Sequence, residues 1–142
     1  MNEDILARVE LFSTLSPKEL KDLAKSGQER TYPAGSVLFK QGDAGSGLYI
    51  IKSGKVRIEQ AIHPDRAEET LGTAGPGDVL GEMALLDDLP RSASVTAEED
   101  VTAFLLPVWE FRNFLRSHPD IALKMLAVLS RRLRKAESRS HD

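Results

Sequence analysis

The chain contains no cysteine, which excludes a disulfide framework, thiolate chemistry and a zinc–cysteine site. No apolar run approaches the roughly 20 residues that a membrane-spanning helix needs, so no membrane span is expected. The start, Met1-Asn2-Glu3-Asp4-Ile5-Leu6, is acidic and lacks the long apolar core of a signal peptide, so a cytoplasmic location is expected. Histidine is scarce. His63, His118 and His141 fall in a loop, a helix break and the tail, with no metal-ligand spacing. That argues against a metal-dependent jelly-roll enzyme, whose ligands would be strand-borne. A Walker loop, a Ser/His/Asp set and paired catalytic carboxylates are also missing. So are internal repeats and low-complexity tracts.

What is present suits one domain with one core: 142 residues, 41% of them hydrophobic. The net charge of −3 is unevenly spread, since residues 111–142 carry eight Lys/Arg against three Asp/Glu. The cations Arg131, Arg132, Arg134, Lys135 and Arg139 crowd the C-terminal end. A nucleic-acid patch is one reading of them. A solvated basic helix end, favoured by the helix dipole, is the better one, because the acidic remainder of the chain repels nucleic acid.

Ile5, Leu6, Val9 and Phe12 have helical spacing and predict a short amphipathic helix over residues 3–11. Ser16-Pro17-Lys18-Glu19 is a helix start, with Ser16 as cap and Glu19 able to reach back to it. That helix is expected to stop at Gly27. From residue 28 to about 106 the apolar runs are short, β-branched and punctuated by Gly and Pro, which predicts many short strands. Leu48–Ile51 and Val56–Glu59 are expected to form a hairpin across Ser53-Gly54, and the polar stretch His63–Glu69 a second hairpin loop. Further strands are expected at Val37–Phe39, Ala93–Thr96 and Val101–Leu105. Pro107 opens a helix with Trp109, Phe111, Phe114 and Leu115 as its apolar positions. Ser117-His118-Pro119 breaks it, and a longer helix follows through Ile121, Met125, Val128, Leu129 and Leu133. The organisation expected is N-terminal helices (1–27), a β-barrel (28–106), C-terminal helices (107–137) and a frayed tail (138–142).

The stretch from Gly81 to Val95 stands apart. A glycine turn leads into one helical turn opened by Glu82, then a loop, then Arg91 entering a strand. Backbone N–H groups at a helix start point at an anion. An arginine adds a planar fork for two oxygens of one phosphate. An acid beside a phosphate is unfavourable unless it binds a neutral hydroxyl, so Glu82 suggests a sugar next to the phosphate. Together these imply a nucleotide pocket.

The order Gly81-Glu82, an aliphatic residue, Ala84-Leu85, a spacer, then Arg91-Ser92-Ala93-Ser94-Val95 resembles the phosphate-binding cassette of the cyclic-nucleotide-binding domain family, that of the catabolite activator protein and the cAMP-dependent kinase regulatory subunits. The resemblance covers nearly the whole chain. It implies an α+β fold: a double-stranded jelly roll with an embedded phosphate-binding helical turn, flanked by N-terminal helices and two C-terminal helices. It further implies that Arg91 pairs with the cyclic phosphate, that Glu82 accepts from the ribose, and that Gly81, Met83 and Ala84 bring backbone close to the ligand. Ser92 can donate to a phosphate oxygen. Leu71 matches an apolar wall under the purine. Pro119-Asp120-Ile121 and Arg131-Arg132-Leu133 match the family's last helix and place Arg132 near the base. Ala136 stands where one family member has an adenine-bonding Thr, so that contact is absent.

The reading that follows is a sensor, not an enzyme. Its ligand is cAMP, with cGMP as the variant, and it needs no cofactor or metal. The last helix is its moving part, and the seam Met125, Val128, Leu129 and Leu133 is expected to be core on one side and a homodimer contact on the other. No DNA-binding module is expected after residue 137, so the partner is an effector protein or a larger parent chain. The alternative is an interaction module of the same fold with another ligand or none, against which Glu82 and Arg91 argue.

Overall fold

The computed structural model describes residues 2–62, 68–87 and 89–140, with backbone alone for 139–140. Its centre is a pair of apolar strands, β3 (Gly47–Ser53) and β8 (Val101–Pro107), in antiparallel register with Leu48 opposite Leu106 and Ile50 opposite Phe104. Leu48, Ile50, Phe104 and Leu106 face the helices, while Tyr49, Ile51, Ala103 and Leu105 face a second sheet. Strands covered on both faces read in sequence as unbroken apolar runs, which is why these two were legible. β1 (Gln28–Tyr32) and β6 (Val79–Leu80) complete the first sheet in the order β1-β8-β3-β6. The second sheet holds β2 (Val37–Phe39), β4 (Val56–Gln60), β5 (Glu69–Ala74) and β7 (Ser94–Ala97) in the order β2-β7-β4-β5. All pairings are antiparallel. The two facing sheets with flanking helices are the expected jelly roll.

One connection differs from expectation. β3 and β4 are not a hairpin: at Ser53-Gly54 the chain leaves the first sheet and enters the second, where β4 pairs with β5 and β7. Crossing over lets Ile51 and Val56 bury in the same space between the sheets. The β4–β5 pairing agrees with the second predicted hairpin, but its tip, residues 63–67, lies outside the described residues.

At the N-terminus, the predicted single helix is divided. α1 (Asn2–Leu6) ends early, Val9 is extended, and a 3-10 turn covers Glu10–Phe12. The break lets Leu6, Val9, Leu11 and Phe12 all bury. α2 (Pro17–Ala24) starts with the complete capping box of Ser16 and Glu19, as the sequence implied. It ends three residues before Gly27, with Lys25 as cap in ordinary right-handed conformation. Gly27 instead allows close approach: a Cβ there would overlap the Phe104 ring.

α3 (Val108–Ser117) buries Phe111 and Phe114, but Trp109, expected inward, is 65% exposed. At two and five positions from those residues it lies on the opposite face of the helix. α4 (Pro119–Ser140) continues beyond the expected fray at Glu137. Ile121, Met125 and Val128 join the helix-side core, and Leu129 packs against it. Of the predicted seam, only Leu133 is exposed; with Leu123 and Leu126 it forms an outer apolar stripe. Lys124 on α4 pairs with Glu19 on α2 at 2.6 Å. That bond, with Ser16, holds the Glu19 carboxyl below its usual pKa.

Candidate functional site

Between β6 and β7 the chain leaves the sheets for the segment singled out in sequence. Gly81 has φ +77°, a left-handed conformation, and opens a 3-10 turn, Glu82–Leu85. Leu85 is fully buried in the helix-side core and anchors the turn. Gly81 also permits close approach, since a Cβ there would overlap Nη1 of Arg91.

Arg91 is held by the loop that joins β2 to β3. Its backbone N–H donates to the Asp43 carbonyl at 2.7 Å, and its carbonyl accepts from Gly42 N–H at 2.8 Å. Its side chain turns inward and is buried, and Nη2 donates to the Gly47 carbonyl at 2.6 Å. Among the described residues no carboxylate lies within ion-pair distance, and the buried Nε has no hydrogen-bond partner. Asp87, close to Arg91 in sequence, does not pair with it and accepts instead from Leu89 N–H. Asp88 lies outside the described residues. Burial draws the Arg91 pKa below its ordinary value, opposed by Tyr49 and Asp43. A buried cation without a counter-ion is costly, and an arginine does not escape by deprotonating. An anion entering beside Nε would supply the missing counter-charge.

Gly81, Met83, Ala84, Arg91 and Ser92 line one cleft of about 240 Å³, with Asp87, Leu89 and Pro90. The structure therefore brings together five of the eight predicted residues. Ser92 is exposed at its mouth, where its carbonyl accepts from Gln60 Nε2 at 2.9 Å. The Ala84 N–H, expected to face the phosphate, donates to the Gly81 carbonyl at 3.1 Å. Leu71 is 54% exposed on β5, the edge strand farthest from β2, and does not line the cleft.

Glu82 is placed differently from Arg91. Its Oε2 accepts from Leu11 N–H at 2.8 Å and from Arg132 Nη2 at 3.1 Å. Arg132 also donates from Nε to Glu10 at 2.9 Å and lies 3.7 Å from the Met83 sulfur. Glu10 and Glu82 raise the Arg132 pKa, and Arg132 in turn holds the Glu10 carboxyl low. One guanidinium thus ties α4 to both 3-10 turns. A wider groove of about 630 Å³ lies beyond it, lined by Glu10, Arg131, Arg132, Arg134 and Lys135 among others. It contains none of the cassette residues.

Sequence reasoning missed Gly47, Leu11 and Glu10. Gly47 and Leu11 act through backbone atoms, which carry no side-chain signal. Glu10 is 122 positions from Arg132, the group it joins, and nothing local marks it.

Residues 29–118 match the cyclic nucleotide-binding domain, and the chain belongs to that family. It is 44% identical over 128 residues to the cyclic AMP receptor protein of Thermus thermophilus, covering 89% of this chain and 58% of that one. It is 36% identical over 140 residues to a CRP-like cAMP-activated global transcriptional regulator of Mycobacterium tuberculosis, covering 99% of this chain and 62% of that one. The chain therefore spans about six-tenths of the length of these curated relatives. The N-terminal domain of a transcriptional regulator from Streptomyces coelicolor superposes with a TM-score of 0.87 at 35% identity, covering 95% of this chain and 96% of that one. Relatives carry the names of regulators, the kinase regulatory subunits among them. Among the described residues no helix is long and apolar enough to cross a membrane, and no three metal-ligating side chains cluster.

Proposed function

We propose that the chain is a cAMP sensor whose output is carried by α4, with cGMP as the variant ligand. The observation that carries this is Arg91: a buried guanidinium, steadied on one side by Gly47, with Nε unpartnered and no carboxylate beside it among the described residues. The names of the relatives favour cAMP. In this reading the phosphate sits against Arg91 and Ser92. The cleft there falls short of the roughly 300–1,000 Å³ usual for small-molecule sites, so the sugar and base extend beyond it. The base stacks toward Leu71 on one side and α4 on the other. Ala136 offers it no side-chain hydrogen bond. Nucleotide added to the protein raises its melting temperature by mass action and is recovered unaltered. Hydrolysis of the nucleotide would overturn the sensor reading.

Coupling to α4 runs through Glu82. Its carboxylate already accepts from Arg132 and Leu11, so a ribose hydroxyl must share or displace those donors. Ligand binding then changes how firmly Arg132 holds α4 to the two 3-10 turns. A ligand shifts such an equilibrium only by its differential affinity for the two positions. Glu82→Gln keeps the shape and removes the charge. Its cAMP affinity is expected to fall about tenfold, the difference between a charged and a neutral acceptor. Its preference for cAMP over the deoxyribose analogue should shrink in parallel, as read by competition binding. An unchanged preference would remove Glu82 from the ribose site.

The outer stripe of Leu123, Leu126 and Leu133 gives α4 a second role as a contact with another copy of this chain. Its spacing suits a helix pair. Sedimentation velocity is expected to find a dimer that Leu126→Glu dissociates; a wild-type monomer across the concentration range would refute the contact. An effector protein or a larger parent chain would read the position of α4.

A further inference from the structure

One face of the Arg91 guanidinium is covered by an aromatic ring. Its central carbon lies 4.1 Å from the centroid of Phe39 and 5.7 Å from that of Tyr49. The two rings are 5.4 Å apart. A cation within about 6 Å of a ring centroid is drawn to the negative face, more strongly where water is excluded. Arg91 is 6% exposed, so the condition for the stronger interaction is met.

The backbone is arranged to put Phe39 there. β2 pairs with β7 through Val37 and Phe39, and the register shifts between them. In a regular strand Leu38 and Phe39 would point to opposite faces. Here both pack into the space between the sheets. Such an irregularity re-aims a side chain. Its effect in this fold is to bring the Phe39 ring under the guanidinium.

We infer that Phe39 is the positioning residue that holds the Arg91 guanidinium inside the cleft, ready for phosphate. This rests on Arg91 being the phosphate ligand. The need for an aromatic residue follows from what else could hold the charge. A carboxylate would occupy the in-plane N–H donors and compete with the phosphate. A ring face stabilises the cation from above and leaves those donors free. Gly47 takes one donor on Nη2, the Gly81 backbone closes on Nη1, Phe39 covers a face, and Nε and the second Nη2 hydrogen are left for the ligand. Without the ring the guanidinium is free to leave the cleft for solvent, and binding must first bring it back.

The test compares cAMP titrations of the wild type, Phe39→Leu, Phe39→Tyr and a chain with trifluorophenylalanine at position 39. Fluorination keeps the ring's shape while stripping its negative face, a change that a merely space-filling residue would not feel. Phe39→Leu is expected to bind about tenfold more weakly, and the fluorinated chain at least about threefold. Phe39→Tyr should bind as the wild type does. If the fluorinated chain matches the wild type, the inference fails while the nucleotide reading stands, and this arm decides even if Phe39→Leu folds poorly. If the wild type binds neither cAMP nor cGMP, the nucleotide reading fails and takes this one with it.

Discussion

Arg91→Met is expected to lose cAMP affinity by about a hundredfold to ten-thousandfold, while its melting temperature in the absence of nucleotide stays at or above that of the wild type. The first effect is the loss of two charge-assisted hydrogen bonds to one phosphate, each contributing roughly 1.5–3 kcal/mol. The second follows from burial. The guanidinium is held in the interior with an unpartnered Nε and no counter-ion among the described residues. Replacing a buried charge with an apolar side chain of similar length is often neutral or stabilising. Methionine can also pack on Phe39 and Tyr49 as the arginine does. Affinity and stability should therefore move in opposite directions, which distinguishes a binding residue from a structural one. Arg91→Lys keeps the charge without the fork and should fall between. Calorimetric titration and thermal denaturation of the three chains measure both quantities. A methionine variant that binds cAMP like the wild type would show that the phosphate is held elsewhere.

Gly81→Ala should damage both quantities together. Gly81 has φ +77°, where a residue with a Cβ costs roughly 1–2 kcal/mol. The added Cβ would also overlap Arg91 Nη1 and crowd the Gly47 carbonyl, the very atom that steadies the guanidinium. The strain lowers stability, with a fall of several degrees in melting temperature. The displacement of Arg91 lowers affinity by more than tenfold. A substitution with no charge, no hydrogen bond and one extra methyl group thus reproduces much of the binding defect of losing the arginine. Unchanged affinity in Gly81→Ala would mean that the close approach of turn and guanidinium is unimportant to binding.

The local parts of the site were legible because the cassette is local. Gly81, Met83, Ala84, Arg91 and Ser92 are close in sequence and line the same cleft. Its walls were not legible. Gly47 opens β3 and works through a carbonyl, and Phe39 reaches Arg91 by an irregularity in β2 that no residue type announces. The fold followed the same division. β3 and β8 stand out as apolar because both their faces are covered. β1 reads Gln28-Glu29-Arg30-Thr31-Tyr32, with every residue but Tyr32 exposed, and owes its place to backbone pairing with β8. Polar side chains at a sheet edge leave no periodic signal. The Ser53-Gly54 turn has the composition of a hairpin, but the choice between folding back and crossing to the other sheet belongs to the packing of Ile51 and Val56. The direction of Glu82 was likewise set at a distance, by Arg132 and by the break in the N-terminal helix that frees the Leu11 N–H.

The most direct test is calorimetric titration of the chain with cAMP and then with cGMP, after denaturation and refolding to strip nucleotide carried from the expression host. One saturable site per chain, tighter for cAMP, is the expected result. Heat from neither nucleotide, together with no thermal shift from either, would mean that the buried Arg91 serves another ligand or none.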